Sequence, residues 1–321
     1  MNFGENIGEQ YSLSLEYRNN NQSLFEYIRM FFAVYLFGFF SVFLYFYKEF
    51  SSKDKILGFA VILLNIALGF ATGTNKYLFD YVVISVAIFL LKEFSFVKIG
   101  YKKIVLYSCL VATLLCGSLY FFAVGQSTRY GSAAVSGVDH RLGAYADYNL
   151  DDGLFLMGYS ALTSYLTQGY RLFDMSLSED FKWTYGVGNS TFFSRQIDRI
   201  LDTKISDNSF PARLESKGLD RFINWSTFYL WWASDLTYFG VGFLLAFLGF
   251  VFRVSENSIL KFKDLDALIL YSYLTMCFFY LSANNQLMQS GETAIGFLFV
   301  LITVIRSKEL VKISSPSFKP I

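Results

Sequence analysis

Histidine and cysteine are nearly missing from this chain, and their scarcity removes whole classes of function. One histidine, His140, and three cysteines, Cys109, Cys116 and Cys277, stand in 321 residues. The cysteines lie within apolar runs and none can pair across a polar loop, so they read as core side chains and not as a disulfide framework. A transition-metal site needs clustered Cys, His or carboxylate ligands, so no metal and no cofactor is expected. His140 stands alone in a polar loop and reads as an exposed side chain. Proline is equally scarce, with three residues and none inside a long apolar run. Charged residues reach 17%, against roughly 25% in soluble domains. The formal net charge is +1, so there is no basic field and nucleic acid is not an expected partner. GxSxG, P-loop, HExxH and GxGxxG signatures are all missing, so any chemistry must come from dispersed groups.

What the chain does have is apolar and aromatic: 54% hydrophobic residues, with 37 Phe and 23 Tyr. That composition suits lipid-facing helices with interfacial ring belts. A membrane span needs about 20 mostly apolar residues, and seven runs fit: 28–47, 56–73, 77–91, 103–124, 236–252, 266–283 and 293–305. The expected fold class is therefore an all-α polytopic membrane protein. It has about seven transmembrane helices and a large external loop containing an amphipathic interfacial helix.

Lysine and arginine set the orientation. Lys48, Lys53 and Lys55, then Lys92, Lys98, Lys102 and Lys103, then Arg253, Lys261 and Lys263, and finally Arg306, Lys308, Lys312 and Lys319 fall in alternate connections. The positive-inside rule places these on the cytoplasmic side. The chain divides into an external N-terminal segment (1–27), four transmembrane helices (28–124), a large external loop (125–224), three transmembrane helices with an aromatic belt (225–305) and a cytoplasmic tail (306–321). Residues 1–27 carry no signal peptide. Two readings stand for them: a plain N-out protein, or a C-terminal portion of a longer polytopic protein that begins inside an external loop.

Within the loop, Phe155, Tyr159, Leu162, Leu166, Tyr170, Phe173 and Leu177 recur at three- or four-residue steps. That spacing predicts an amphipathic helix over 153–177, lying in the outer interface or roofing the bundle. Glycine turns follow at 186–188, and Pro211 opens a charged stretch from Phe210 to Arg221. The segment 225–234 (WSTFYLWWAS) reads as a Trp/Tyr interface belt.

Four strings then carry a resemblance: YLTQGYRLFDMSLSEDFKWTYGVGNS (165–190), FPARLESKGLD (210–220), WSTFYLWWASDLTYFGVG (225–242) and FFYLSANNQLMQSGET (278–293). In this order they resemble the bacterial O-antigen and capsular oligosaccharide repeat-unit polymerases, over roughly residues 125–300. Members generally have ten or more spans, which agrees with the fragment reading. The resemblance implies an inverting, metal-independent glycosyltransferase of the bacterial inner membrane. It would move a growing polysaccharide from undecaprenyl diphosphate onto a lipid-linked repeat unit. The implied partners are that lipid-linked oligosaccharide, the bilayer, a flippase and a chain-length regulator.

Cleaving a glycosyl–phosphate bond calls for cations against the developing diphosphate charge and a base near the acceptor hydroxyl. Arginine suits the first task because its guanidinium is bidentate and always charged. Arg213 and Glu215, in the string that matches most closely, read either as solvated charges or as a diphosphate clamp with its carboxylate. Arg129, just past the fourth span, is open to the clamp role as well. Asp235 lies among Trp231, Trp232 and Tyr238, where an unpaired carboxylate costs several kcal/mol, so it calls for an arginine partner or serves as a base. Lys76 and Asp80 share a helix face and read as an ion pair or as part of a substrate path. The family commonly has a Gly-Ser-Arg-like turn here, whereas this chain has Gly73-Thr74-Asn75-Lys76. Asn284, Asn285 and Gln286 offer amides to sugar hydroxyls, and Gln168, Tyr170 and Trp225 are further substrate-binding candidates. The rivals to a polymerase are an O-antigen ligase-like enzyme, with the same donor and a lipid A-core acceptor, and a lipid-linked oligosaccharide flippase or transporter.

Overall fold

A computed structural model describes residues 24–71, 76–94, 167–217, 221 and 226–306, with isolated helical positions at 105, 109, 113, 116 and 117. Among the described residues the chain is mostly helical and contains no strand. Two helices are long and apolar enough to cross a membrane, over Tyr27–Tyr45 and Phe228–Phe262, and Leu265–Phe279 is apolar but shorter. The expected span 103–124 and the first part of the loop, 125–166, lie almost wholly outside the described residues.

The chain forms two compact units. In the first, α2 (Ser52–Ala71) and α3 (Lys76–Phe94) form a pair. Ser51 caps α2, its hydroxyl accepting from the Asp54 amide at 3.3 Å, which satisfies an orphan donor of the first turn. Along α3 the residues Tyr81, Ile84, Ile88 and Leu91 are buried at three- and four-residue steps, the stripe that an amphipathic helix turns inward.

The second unit joins the first helix to everything after residue 167, a grouping that differs from the expected division at 124. Here α1 (Leu24–Tyr45) packs against the last helices. Phe37 stacks on Tyr273 at 4.2 Å, Phe31 meets Phe299 at 6.2 Å, and Arg29 pairs with Glu292 at 2.6 Å. A helix over 167–176 (α4) ends in a turn at Leu177, matching the end predicted for the amphipathic helix; its expected beginning, 153–166, lies outside the described residues.

Next comes α5 (Thr191–Leu201), then a 3-10 turn (Ile205–Asn208), a short helix α6 (Phe210–Arg213) and a second 3-10 turn (Leu214–Lys217). The core of the unit is built from α7 (Phe228–Phe262), α8 (Leu265–Phe279) and α9 (Gly291–Arg306). A tight turn connects α7 to α8. Lys263 takes a left-handed conformation, and Asp264 caps α8 by accepting from the Ala267 amide at 3.2 Å.

Within the stretch expected as an interface belt, Phe228, Leu230, Trp231, Ala233 and Ser234 are buried in α7, while Tyr229 and Trp232 are half-buried. The reason is that α4, α6 and the turns after α8 cover it, which the local sequence cannot reveal. In the charged stretch opened by Pro211, the residues Phe210, Pro211, Ala212 and Leu214 are all buried. Proline sits at the start of α6, where its missing N–H costs nothing.

Candidate functional site

The site is assembled from the four strings quoted above, and its centre is a carboxylate. Asp235 is only 7% exposed. Its Oδ1 accepts from the Thr184 hydroxyl at 2.5 Å, the Gly186 amide at 2.8 Å and the Gly188 amide at 3.3 Å. Its Oδ2 accepts from the backbone N–H of Asn189 and from Asn189 Nδ2, both at 2.8 Å. A carboxylate has about four lone-pair sites, so this one is fully occupied. The partner expected for Asp235 is thus a loop of donors and not an arginine. Its geometry gives it the task of holding residues 184–189.

The loop's sequence explains how it reaches the carboxylate. Gly186 adopts φ 84°, a region glycine enters freely. At Gly188 a Cβ would lie 2.6 Å from Thr184 Cβ, so only glycine lets the two strands of the turn close. Tyr185, between them, is held left-handed at φ 56°. Immediately past Asp235 the helix itself breaks: Thr237 has φ 60° and ψ 169°, a conformation costing a β-branched residue about 1–3 kcal/mol.

On its other side the loop grips the turn after α8. Asn285 Nδ2 donates to the Asn189 carbonyl at 2.8 Å. The Ser190 hydroxyl donates to the Met288 carbonyl at 2.5 Å, and the Thr191 hydroxyl to the Gln289 carbonyl at 2.8 Å. Ser190 also caps α5, accepting from the Phe193 amide at 3.1 Å. Asn189 therefore bridges two predicted residues, Asp235 and Asn285. Two amide oxygens in this junction, Asn189 Oδ1 and Asn285 Oδ1, are buried with no partner. Asn284 Oδ1 accepts from the Asn285 amide at 2.8 Å, and Gln286 is buried beside them in sequence. The start of α4 closes against the same turn: a Cβ on Gly169 would meet the Ser282 carbonyl at 2.8 Å. Gln168 there is half-buried and Tyr170 exposed.

Arg213 stands on the neighbouring string. The Phe210 amide donates to Ser234 Oγ at 3.0 Å, which fixes α6 next to Asp235. The Arg213 guanidinium lies 4.8 Å over the Phe210 ring. Its Nε donates to the Asn208 carbonyl at 3.2 Å, and its Nη1 reaches Glu179 Oε2 at 3.4 Å. Its Nη2 is buried with no partner. Glu179 makes its short contact elsewhere, with Lys217 Nζ at 2.6 Å. That hydrogen bond, with Arg213 and Lys182 adding positive charge, holds the Glu179 carboxyl below its ordinary value. Cations thus outnumber the carboxylate they share.

Glu215 is directed away from this cluster. It pairs with Arg221 at 3.0 Å, and Arg221 also meets Asp207 at 3.2 Å. A second buttress lies below. Burial works against the charged form of Asp198, but donation from Ser206, Thr203 and Ile205 outweighs it and holds the carboxyl below the usual range. This ties α5 to the turn that leads into α6.

The predicted residues therefore separate into groups. Asp235, Asn284, Asn285 and Gln286 meet at one junction, with Arg213 one string away. Asp80 is buried in α3 of the other unit. Lys76 begins α3, and its side chain lies outside the described residues, as do Arg129 and Trp225. Sequence reasoning missed Asn189, Thr184, Glu179 and Lys217. The signal for Asn189 was present, since an Asn-Ser pair after Gly-Val-Gly is a turn followed by a helix cap. No family model, no curated protein and no solved structure matches this chain.

Proposed function

We propose that this chain is a multi-pass protein of the bacterial inner membrane that joins undecaprenyl-diphosphate-linked oligosaccharide repeat units into O-antigen or capsular polysaccharide. It crosses the bilayer about seven times, with its N-terminus and the 125–224 segment outside and its C-terminus cytoplasmic. The observation that carries the reading is the open edge of Arg213. A buried guanidinium N–H without an acceptor costs about 1–3 kcal/mol, and Arg213 Nη2 is in that state one string away from the Asp235 junction. A phosphate oxygen is the acceptor it lacks, with Lys217 adding charge nearby.

In the reaction, the glycosyl–phosphate bond of the donor breaks as the acceptor hydroxyl oxygen bonds to the anomeric carbon. The hydroxyl proton goes to a base, and the electron pair leaves with the diphosphate. Arg213 holds that leaving charge. Asp235 acts as a positioning residue, because its lone pairs are already taken by the loop. The break at Thr237 lies at the outer end of α7 and not at a bilayer midplane, so it gives no support to a transporter.

The test is Arg213→Lys, scored on surface polysaccharide ladders. A point charge on a flexible stem cannot reproduce bidentate contacts. Loss of such a contact costs about 2.7–4 kcal/mol, a hundred- to thousandfold in rate. Polymer should vanish while the protein stays at normal level in the membrane, and Arg199→Lys should be silent. Normal ladders from Arg213→Lys would remove this arginine from the mechanism. Loss of the single capped unit as well would point to a flippase or a ligase-like enzyme.

A further inference from the structure

The loop that Asp235 holds carries a feature the proposed reaction does not use. Trp183 and Tyr185 are 56% and 64% exposed, with ring centroids 4.8 Å apart and planes tilted by 39°. Phe181 is exposed as well, and so is Lys182 between Phe181 and Trp183. Exposed loop aromatics are ordinarily free to fold back. These are not, because Thr184 between them is fully buried and bonded to Asp235 and the Ser234 carbonyl, while Gly186 donates to the same carboxylate. The rings are fixed outward.

The place where they are fixed is the upper end of an apolar stripe. On α7, past the break at Thr237, Phe239, Phe243 and Phe250 are 88%, 80% and 65% exposed, with Phe247 between them. The segment 238–252 rises about 22 Å at 1.5 Å per residue and gives way to exposed Arg253. Water does not tolerate such a stripe, whereas a hydrocarbon core of about 30 Å accommodates it. Four residues separate Asp235 from Phe239, a Cα distance of about 6 Å if helical and at most about 14 Å if extended. The loop is therefore anchored within roughly one headgroup layer of the first lipid-facing ring. Rings with a polar edge settle at that depth, and a lysine among them complements lipid phosphate.

From this continuity we propose that Phe181, Lys182, Trp183 and Tyr185 form an interfacial anchor that dips into the phospholipid headgroup layer of the outer leaflet. It sets the height of the Asp235 junction against the membrane. The inference rests on the membrane-spanning reading above, but not on polymerase activity. A sugar platform is the competing use of such rings. It is disfavoured because the unpaired acceptors that would engage a stacked sugar, Asn189 Oδ1 and Asn285 Oδ1, are buried on the Asp235 side of the loop.

The experiment uses the full chain reconstituted in phosphatidylcholine vesicles, with and without bromine on the acyl carbons nearest the headgroup. Tryptophan emission is compared between the parent and Trp183→Phe. A second variant, Phe239→Trp in the Trp183→Phe background, reports the stripe. The expected result is a bromolipid-quenched component in the parent that is lost in Trp183→Phe and regained in Phe239→Trp. Quenching of Phe239→Trp without any Trp183 component overturns the anchor and leaves the spanning helix in place. Full quenching of the Trp183 component by aqueous acrylamide alone likewise overturns it and assigns the rings to the water side, where a sugar is the remaining occupant. If neither position responds to bromolipid, the membrane reading fails and the anchor with it.

Discussion

Between Phe228 and Leu230, and again from Ala233 to Asp235, α7 turns its side chains inward; beyond Thr237 the same helix turns its largest ones outward. The upper part obeys the rules of water. Its apolar groups are covered, and its one carboxylate is met by five donors. The lower part has the exposure that suits a bilayer, where lipid tails are as apolar as phenylalanine and nothing drives rings into a core. Under the proposed membrane-spanning reading, one continuous apolar sequence folds under two solvents, and the change falls at the residue with the strained backbone. The lesson is that hydrophobicity alone does not say which way a helix faces. The polar atoms around it do.

The comparison breaks most sharply at Asp235. Asp235→Asn keeps the shape but sets an amide N–H2 against either the Asn189 donors or the Thr184 and glycine donors. Removing one side of a buried charged network costs about 3–5 kcal/mol, so the loop should open and thermal unfolding in detergent should shift accordingly. A wild-type melting curve would show that the donors are satisfied some other way. The next effect is about 3 kcal/mol. Phe243→Asp puts a charge at bilayer depth, where the insertion cost is about 2.5–3.5 kcal/mol. Ile200→Asp, equally exposed on α5, should stay within about 0.5 kcal/mol. Equal losses of membrane-inserted protein from both would show that the two regions share one solvent.

The smallest effect belongs to Glu179. Its folded pKa is lowered, so its pairing with Lys217 and Arg213 stabilises the protein above the ordinary carboxylate value. That contribution is lost as pH falls through the lowered folded value. As an ion pair at the edge of the unit it contributes about 0–1 kcal/mol. Glu179→Gln should therefore lower the melting temperature slightly at neutral pH and flatten the acid limb, with parent and variant converging as pH falls through the lowered folded value.

How much of this was legible in the sequence follows from the same contrast. Apolar runs ending at basic connections predicted helices at 28–47, 56–73, 77–91, 266–283 and 293–305, and helices stand within a few residues of each. A run of that length has few other uses, so local pattern was enough. Thr191–Leu201 was not found, although Ser190 is a good cap and Phe192, Phe193, Ile197 and Leu201 keep helical spacing. Its short length and scattered charges hid it within a polar stretch. Asp235 stands out in the sequence as a carboxylate among aromatics, and Asn285 as part of an amide cluster. Their meeting through Asn189 does not, since backbone amides carry no sequence signature. The burial within Phe228–Ser234 was also beyond reach, because it depends on covering elements distant in the chain.

The contact of Arg29 with Glu292 bridges 263 positions, and that distance is also an interval of time. Ribosomes add about 5–20 residues each second, so α1 is made roughly 13–50 s before the helix it finally pairs with. Throughout that wait its partners Tyr273, Glu292 and Phe299 do not yet exist. Assembly of this unit therefore cannot proceed helix by helix from the start of the chain. It must close last on its earliest piece, and α1 supplied as a separate polypeptide should be able to complete a chain that lacks it.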